Sequence, residues 1–241
     1  MTLNILHLVL FSHDSGLYDI MYHITRKYYH TFENIKTVYY CFDENIQDDY
    51  SLIDDILYIK GTEGYIPNIL DKTIKAFQYF NEKTHYDYIV RSNISSIINC
   101  KLLISILVNN KIQYGGKIWN IPPKTIHYKG HICLFPDNID TLENIIIDTN
   151  LWGVNFTSGT CIILSKESVE YLLNTNIRYE LIDDVAIGVA LHKKINISDL
   201  TNYYIDTETD SSNFLIYRHR SDNRFNDIYR MIKIIELLIS S

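Results

Sequence analysis

The first half of the sequence alternates short apolar runs with segments in which apolar residues recur at helical spacing. The apolar runs have the length of buried strands and cover residues 5–12, 35–42, 56–60 and 86–90. The helical segments cover residues 17–29, 67–81 and 98–108. Strands that alternate with helices form a largely parallel, doubly wound sheet, which binds its ligand at the carboxyl ends of the strands. The pattern therefore predicts the α/β class.

The second half of the sequence is less regular but carries the same kinds of element. Short strands are predicted at residues 114–119, 125–134, 156–164, 203–206 and 215–220, and helices at residues 166–173, 183–193 and 223–238. No internal repeat and no linker divides the 241 residues. We therefore predict a single domain over residues 1–241.

Charge and hydropathy exclude several classes of protein. The formal net charge of −7 argues against a nucleic-acid binder, which needs a basic surface. The apolar residues 1–11 lack the flanking signals of a secretory leader, and they are too short to span a bilayer. We read them as a first strand and expect no transmembrane segment.

The four cysteines show no metal-binding spacing. They lie far apart, at Cys41, Cys100, Cys133 and Cys161, with no CxxC pair. Free thiols are typical of a reducing compartment, so we expect a cytoplasmic protein.

Polar residues gather in four places near the ends of predicted elements. The strand at 86–90 runs into residues 91–96 (RSNISS), and a later strand ends in residues 217–220 (YRHR). Lys72 lies early in one predicted helix, and Asp183 and Asp184 begin another. Each place also has a purely structural explanation, because Ser and Asn cap helices and Asp is favoured at a helix start.

Taken together, the four places suit a ligand that contains phosphate. Strand alternation puts Arg218 and Arg220 on one side and His219 on the other. Basic groups at a strand end fit a diphosphate, while one of two adjacent aspartates can cap its helix and the other can act as a general base. Glycine-rich phosphate loops are absent, which weakens dehydrogenase and NTPase interpretations. Basic groups with a carboxylate base indicate glycosyl transfer from a nucleotide sugar.

Four segments also resemble, in the right order, motifs of the β-1,3-galactosyltransferase-like enzymes, glycosyltransferase family 31. YIPNILDKT (65–73) is similar to their Y-x-N-L-T-x-K-T, and YDYIVRSNISSIIN (86–99) to a strand ending in K-x-D-D-D-V-F-V-N. NFTSGTCIILSKESVEYL (155–172) is similar to Y-x-S-G-x-G-Y-V-L-S, and IDDVAIG (182–188) to E-D-V-x-x-G. The RSNISS variant and the YRHR and NRFND segments resemble small soluble transferases of large DNA viruses and some bacteria. A viral source would place the protein in the host cytoplasm.

The resemblance implies a GT-A fold and an inverting transfer to a glycan. Residues 1–97 would form the half that binds the nucleotide sugar, and residues 98–241 the acceptor half with a C-terminal helix. Asp184 would deprotonate the acceptor hydroxyl, and Asp183 would orient the acceptor or the base.

The resemblance also implies the binding residues. The donor, a UDP- or GDP-sugar, is expected to contact Phe11, Ser12, His13, Phe42, Asp43, Lys72, Arg91, Asn93, Ser95 and Arg218. The glycan acceptor is expected to contact Trp152, Ser158 and Gly159.

One departure from the family bears on the metal. GT-A enzymes usually hold Mn²⁺ or Mg²⁺ through an Asp-x-Asp motif, and the matching positions here are Asn93, Ile94 and Ser95. Hard divalent cations prefer charged oxygen ligands, which these residues do not supply. Any metal would rest on the diphosphate together with Asn93, Ser95 and His219, so we expect the cation to be optional.

Two other functions stay open at this point. One is a degenerate member of the same fold that binds a nucleotide sugar or glycan without turnover, which the missing acidic motif favours and the Asp183–Asp184 pair opposes. The other is a nucleotidyltransferase that makes activated sugars. That function would need a glycine-rich loop after the first strand, and SHDSG (12–16) is a poor match.

Overall fold

The computed structural model describes residues 3–13, 15–128, 131–134 and 145–241 of the chain. The first strands in chain order are β1 (Ile5–Leu10), β2 (Ile35–Asp43), β3 (Tyr50–Ile53), β4 (Ile56–Lys60), β5 (Tyr88–Asn93), β6 (Ile97–Ile98), β7 (Tyr114–Gly116) and β8 (Ile118–Asn120). The later strands are β9 (Thr125–Tyr128), β10 (His131–Leu134), β11 (Ile145–Ile146), β12 (Asn155–Thr157), β13 (Cys161–Ser165), β14 (Ile197–Asp199), β15 (Tyr204–Ile205) and β16 (Ile216–Tyr217). The helices are α1 (Gly16–Tyr29), α2 (Asn68–Lys83), α3 (Cys100–Asn109), α4 (Lys166–Leu173), α5 (Asp183–Leu191) and α6 (Arg224–Ser240).

An eight-stranded sheet forms the centre of the structure. Its strand order is β14-β7-β13-β5-β1-β2-β4-β3. β1 is parallel to both of its neighbours, β2 and β5, and β2 is parallel to β4. β13 runs antiparallel to β5 and to β7. The sheet confirms the predicted α/β class with mostly parallel strands, and it contains strands from both predicted halves.

The order of the strands reverses next to β1. The chain moves from β1 outward through β2 and β4, and then returns to place β5 on the other side of β1. In open α/β sheets a ligand binds in the crevice at the carboxyl ends of the two strands that flank such a reversal. In this chain those ends are Leu10 of β1 and Asn93 of β5, which are in register with each other.

Each face of the sheet carries its own apolar core. Alternate residues of β1 belong to different cores, with Ile5 and Val9 in one and Leu6 and Leu8 in the other. Side chains cap most of the helices: Ser15 accepts from the Leu17 amide before α1, and Asn99 accepts from the Leu102 amide before α3. α5 has no side-chain cap.

Two predicted strands are each divided between two sheets. The predicted strand at 156–164 consists of β12, which pairs with β8 in a two-stranded sheet, and β13, which belongs to the central sheet. Likewise the strand predicted at 114–119 divides into β7 and β8. Gly116 is the last residue of β7, at the point where the chain passes from one sheet to the other. Only glycine fits there, because a Cβ would lie 2.8 Å from the carbonyl oxygen of Cys161. Residues 158–160 form the turn between β12 and β13.

Other boundaries also differ from the prediction. β3 and β14 were not predicted, and the strand expected at 125–134 is the antiparallel pair β9 and β10, with residues 129–130 outside the described residues. The strand expected at 215–220 ends at Tyr217, so Arg218, His219 and Arg220 follow β16. No helix in the described part of the chain is long and apolar enough to cross a membrane.

Candidate active site

A pocket of about 670 Å³ opens at the carboxyl ends of β1 and β5. The crevice expected from the strand order is therefore present. Its wall combines residues that follow β1 and β5, the turn at 158–160, the start of α5 and the segment after β16. Residues from both predicted halves of the chain thus meet in one pocket.

Asp184 presents its carboxylate to this pocket at the start of α5. Its Oδ2 accepts a hydrogen bond from the Gly159 amide at 2.8 Å, and its Oδ1 accepts from the Val185 amide at 2.9 Å. Gly159 permits this approach, because a Cβ there would lie 3.2 Å from Oδ2 of Asp184. Burial and the neighbouring Asp183 carboxylate raise the pKa of Asp184 to about 6, although the Gly159 amide opposes the shift. A carboxylate with this pKa suits a general base at neutral pH.

Asp183 and Arg91 neutralise each other beneath the pocket. Arg91 Nη2 donates to Asp183 Oδ2 at 2.5 Å, and both side chains are almost fully buried. Arg91 Nη1 donates to the Gly159 carbonyl, and its Nε donates to Tyr40 at 3.3 Å. Burial opposes the charge of Arg91, but the Asp183 carboxylate more than offsets this, so the pKa of Arg91 lies above its usual value. Arg91 thus links the start of α5 to the turn at 158–160, the two segments that hold Asp184 and its hydrogen-bond donor Gly159.

Lys72 is neutralised in a similar way. Its ammonium donates to Glu63 Oε2 at 2.5 Å and to the carbonyl of Phe11 at 3.0 Å. The side chain is only 2% exposed, and burial lowers the pKa of Lys72 because Glu63 offsets the desolvation only in part. Of Lys72, Arg91 and Arg218, which were expected to contact the donor, Lys72 and Arg91 therefore carry internal counter-ions.

Two other arginines carry the uncompensated positive charge of the pocket. Arg218 and Arg220 line the pocket, and neither has a carboxylate within ion-pair distance among the residues that the structure describes. Arg218 Nη1 donates to Thr160 Oγ1 at 3.1 Å, while its buried Nε has no partner. Burial and the nearby guanidinium groups of Arg220, Arg91 and Arg224 lower the pKa of Arg218. Like charges held together in this way favour an anionic ligand.

Most of the predicted site residues meet at the pocket. Those that line it are Phe11, Ser12, Lys72, Arg91, Asn93, Ser95, Ser158, Gly159, Asp183, Asp184 and Arg218. The prediction missed Tyr18, Glu63 and Tyr65, which also line the pocket. Tyr65 is 51% exposed, and its place as the first residue of the YIPNILDKT segment could have pointed to it.

Five predicted residues do not line the pocket. His13 pairs with Asp19, Asp43 accepts from Asn45, and Phe42 is buried beneath the ammonium groups of Lys72 and Lys75. Trp152 donates from Nε1 to the Thr125 carbonyl at 3.1 Å, so its ring is used in packing. His219 contacts Arg230 and lies 3.9 Å from Asp227. These three residues follow the end of β16, so the strand alternation expected of His219, Arg218 and Arg220 does not apply, and it is the contact with Arg230 that holds His219 away from the pocket.

The pocket does not fit a resident divalent cation. Asn93 and Ser95 offer only neutral oxygen atoms, and His219 does not join them. The nearby carboxylates have other partners: Glu63 binds Lys72, Asp183 binds Arg91, and Asp184 accepts from two backbone amides. Within the described ranges no three His, Cys, Asp or Glu side chains converge as a metal site.

Comparisons with known proteins concern the fold. No protein-family model matches the chain, and no curated protein sequence matches it. A glycosyltransferase involved in the glycosylation of the major capsid of PBCV-1 is similar in structure, with 12% identity and a TM-score of 0.46 over 94% of this chain and 98% of that one. The inositol-1-phosphate CTP transferase from T. maritima shares 9% identity at a TM-score of 0.45, over 98% of this chain and 97% of that one. The family 31 resemblance stays a hypothesis, and the chemistry of the pocket is inferred from its own residues.

Proposed function

We propose that the protein is an inverting, nucleotide-sugar-dependent glycosyltransferase of the GT-A type. One observation carries this proposal: a single pocket holds the Asp184 carboxylate and two arginines, Arg218 and Arg220, that have no carboxylate partner among the described residues. The arginines suit the diphosphate of a UDP- or GDP-sugar, and the carboxylate suits a hydroxyl nucleophile. The glycan class of the acceptor rests on the resemblance.

The proposed reaction is a single displacement. The acceptor oxygen attacks the anomeric carbon and forms the new glycosidic bond, while the bond from that carbon to the diphosphate breaks. The hydroxyl proton passes to Asp184, and the electron pair leaves with the diphosphate, whose charge Arg218 and Arg220 stabilise. Attack on the face opposite the leaving group inverts the anomeric configuration.

The first experiment is a thermal-shift screen of UDP- and GDP-sugars against the corresponding free sugars. A ligand at 100 times its Kd adds about 2.7 kcal/mol to the free energy of unfolding. Nucleotide sugars should raise the melting temperature more than free sugars at the same concentration, because the arginines without a carboxylate partner suit a diphosphate. Equal stabilisation by free sugar and nucleotide sugar would rule out the proposed function.

Replacement of Arg218 by glutamine should weaken nucleotide-diphosphate binding by roughly 10- to 100-fold, the worth of one charged hydrogen bond. The matched control is Lys75→Gln, which removes one positive charge from a partly exposed helical pair with Asp71 outside the pocket. Calorimetry with UDP or GDP measures both changes. An equal loss in the two variants would show that only the overall charge matters.

Turnover should depend on pH through Asp184. The pKa of Asp184 is raised to about 6, so the carboxylate holds its proton until the pH rises through that value. Because the base must be ionised, kcat/KM should fall by about tenfold per pH unit below the pKa and reach a plateau above it. Donor hydrolysis measured across the pH range checks this. A profile that stays flat from about pH 5 to about pH 8 would contradict the role of Asp184.

Removal of divalent cations should change donor affinity by no more than about tenfold, or roughly 1.4 kcal/mol. The physical reason is the neutral pair Asn93 and Ser95 together with the carboxylates that already have partners. Calorimetry in EDTA and in Mn²⁺ makes the comparison. Binding that disappears in EDTA and returns with Mn²⁺ would show that a metal is required.

The second candidate function is binding of a nucleotide sugar without turnover. The neutral residues at the motif positions Asn93 and Ser95 favour it, because a metal-independent site lacks one source of leaving-group stabilisation. The two functions differ in one measurement. A donor that binds but is neither hydrolysed nor transferred would identify the binding protein.

A further inference from the structure

A second pocket, of about 410 Å³, adjoins the first. The two pockets share Ser158, Thr160, Arg218 and Arg220, and the second adds Lys117, Trp119 and Asp206 among other residues. Trp119, Lys117 and Asp206 lie outside the four segments that resemble family 31 motifs.

Trp119 is the more exposed of the two tryptophans, and about half of its surface is open to solvent. It lies on β8, and its side chain is 52% exposed, whereas the ring of Trp152 is partly buried and hydrogen-bonded to Thr125. The Lys117 ammonium lies 5.7 Å from the centroid of the Trp119 ring and 3.3 Å from Asp206 Oδ2. An exposed aromatic ring is thus bordered by one ammonium group and one carboxylate.

This combination matches the chemistry of a pyranose ring. A pyranose has an apolar face of C–H groups that packs on an aromatic ring, and hydroxyl groups around its edge. An ammonium group donates hydrogen bonds to such hydroxyls, and a carboxylate accepts from them. The pair formed by Lys117 and Asp206 is exposed at its Asp206 end, so a ligand can compete for both groups.

The backbone connects this pocket to Asp184. The Ser158 amide donates to the Lys117 carbonyl at 2.8 Å, and the next amide, that of Gly159, donates to Asp184 Oδ2 at 2.8 Å. Ser158 and Thr160 line both pockets. The turn at 158–160 therefore forms part of both pockets and contacts the proposed base through the Gly159 amide.

We propose that Trp119, Lys117 and Asp206 form the acceptor subsite, which takes a pyranose sugar with its C–H face on the Trp119 ring. This assignment rests on the proposed transferase function. It replaces Trp152, which the sequence suggested for the acceptor, with the other tryptophan of the chain.

The two tryptophans allow a direct test by NMR, because each indole N–H gives one signal. Methyl β-D-glucopyranoside, methyl β-D-galactopyranoside and methyl α-D-mannopyranoside are titrated into the ¹⁵N-labelled protein, with UDP or GDP present in excess. At least one glycoside should shift the Trp119 signal in a saturable way and leave the Trp152 signal in place. The open-chain polyol sorbitol and the nucleoside uridine serve as controls.

Two results would overturn the assignment. One is the absence of a saturable shift at Trp119 with all three glycosides. The other is an equal shift with sorbitol or uridine, since this would show general crowding or base stacking instead of sugar recognition.

Saturation-transfer NMR on the glycoside protons gives a second readout with variants. Trp119→Ala should abolish the transfer, and Trp119→Phe should retain part of it because an aromatic face remains. The control Tyr179→Ala removes an exposed aromatic residue that lines neither pocket, and it should leave the transfer unchanged. Transfer that survives in Trp119→Ala would overturn the subsite.

Nucleotide binding, followed by thermal shift, separates failure of the subsite from failure of the proposed function. If UDP or GDP binds and no glycoside does, the subsite is wrong while the donor pocket stands. If a glycoside binds at Trp119 and no nucleotide binds, the sugar site stands, but its role as an acceptor subsite is overturned together with the transferase function.

Discussion

Replacement of Asp184 by asparagine should lower turnover by about 10²–10⁴-fold, the usual worth of a positioned general base. Asparagine keeps the size of the side chain and can still accept a hydrogen bond from the Gly159 amide, but it cannot take a proton. Affinity for UDP or GDP should stay close to that of the parent, because the proposed diphosphate contacts are Arg218 and Arg220. Hydrolysis of the donor serves as the assay until an acceptor is known.

The competing role for Asp184 is purely structural. An acid at the start of α5 interacts favourably with the helix dipole, and its loss costs about 0.3–1 kcal/mol of stability. In that case the asparagine variant would be slightly less stable and would turn over at the parent rate. A folded variant that binds UDP or GDP and hydrolyses the donor at full rate would therefore exclude Asp184 as the base.

Replacement of Asp183 by alanine should destabilise the protein by about 3–5 kcal/mol, the range found when one partner of a buried ion pair is removed. Arg91 is 1% exposed, and without Asp183 its guanidinium would be buried with no counter-ion in direct contact. The sequence suggested orientation of the acceptor or base as the role of Asp183. The structure places Asp183 on Arg91, so its main effect is expected on folding. Urea unfolding measures the change.

Two controls make the test specific to burial. Asp71→Ala removes one partner of the partly exposed pair with Lys75 and should cost no more than about 1 kcal/mol. The double variant Arg91→Met with Asp183→Leu removes both charges, and it should recover most of the stability that Asp183→Ala loses. If Asp183→Ala unfolds at the same urea concentration as Asp71→Ala, the ion pair does not contribute as the geometry indicates.

The sequence predicted the first half of the fold well because periodicity is a local signal. Alternating apolar runs and amphipathic segments located the strands and helices from β1 to α3, apart from β3 and the two-residue β6. β3 lies at the edge of the sheet between acidic residues, and Asp54 in the turn after it adopts a positive φ of 53°. β3 and β14 have only four and three residues, which is too short for an alternating apolar pattern to be recognised.

Parts of the candidate site depended on contacts between distant residues, which one sequence does not reveal. Asp184 could be proposed from its local setting, whereas the partner of Arg91 lies 92 residues away in the chain. The two tryptophans show the same difficulty. Their local sequences did not reveal that Trp152 bonds Thr125 while Trp119 remains exposed, since burial depends on which strands come together.

The pair formed by Arg91 and Asp183 also bears on how the chain reaches its native state during synthesis. β5 carries Arg91 into the centre of the sheet, but the counter-ion is translated 92 residues later, at the start of α5. A nascent chain that contains only β1 to β5 would have to bury an unpaired guanidinium to complete its sheet, which is strongly unfavourable. The first half is therefore not expected to fold as an independent unit ahead of the second. We expect β5 to become buried only when the start of α5, which carries Asp183 and the proposed base Asp184, packs against it. The sheet and the candidate site would then form in the same folding step.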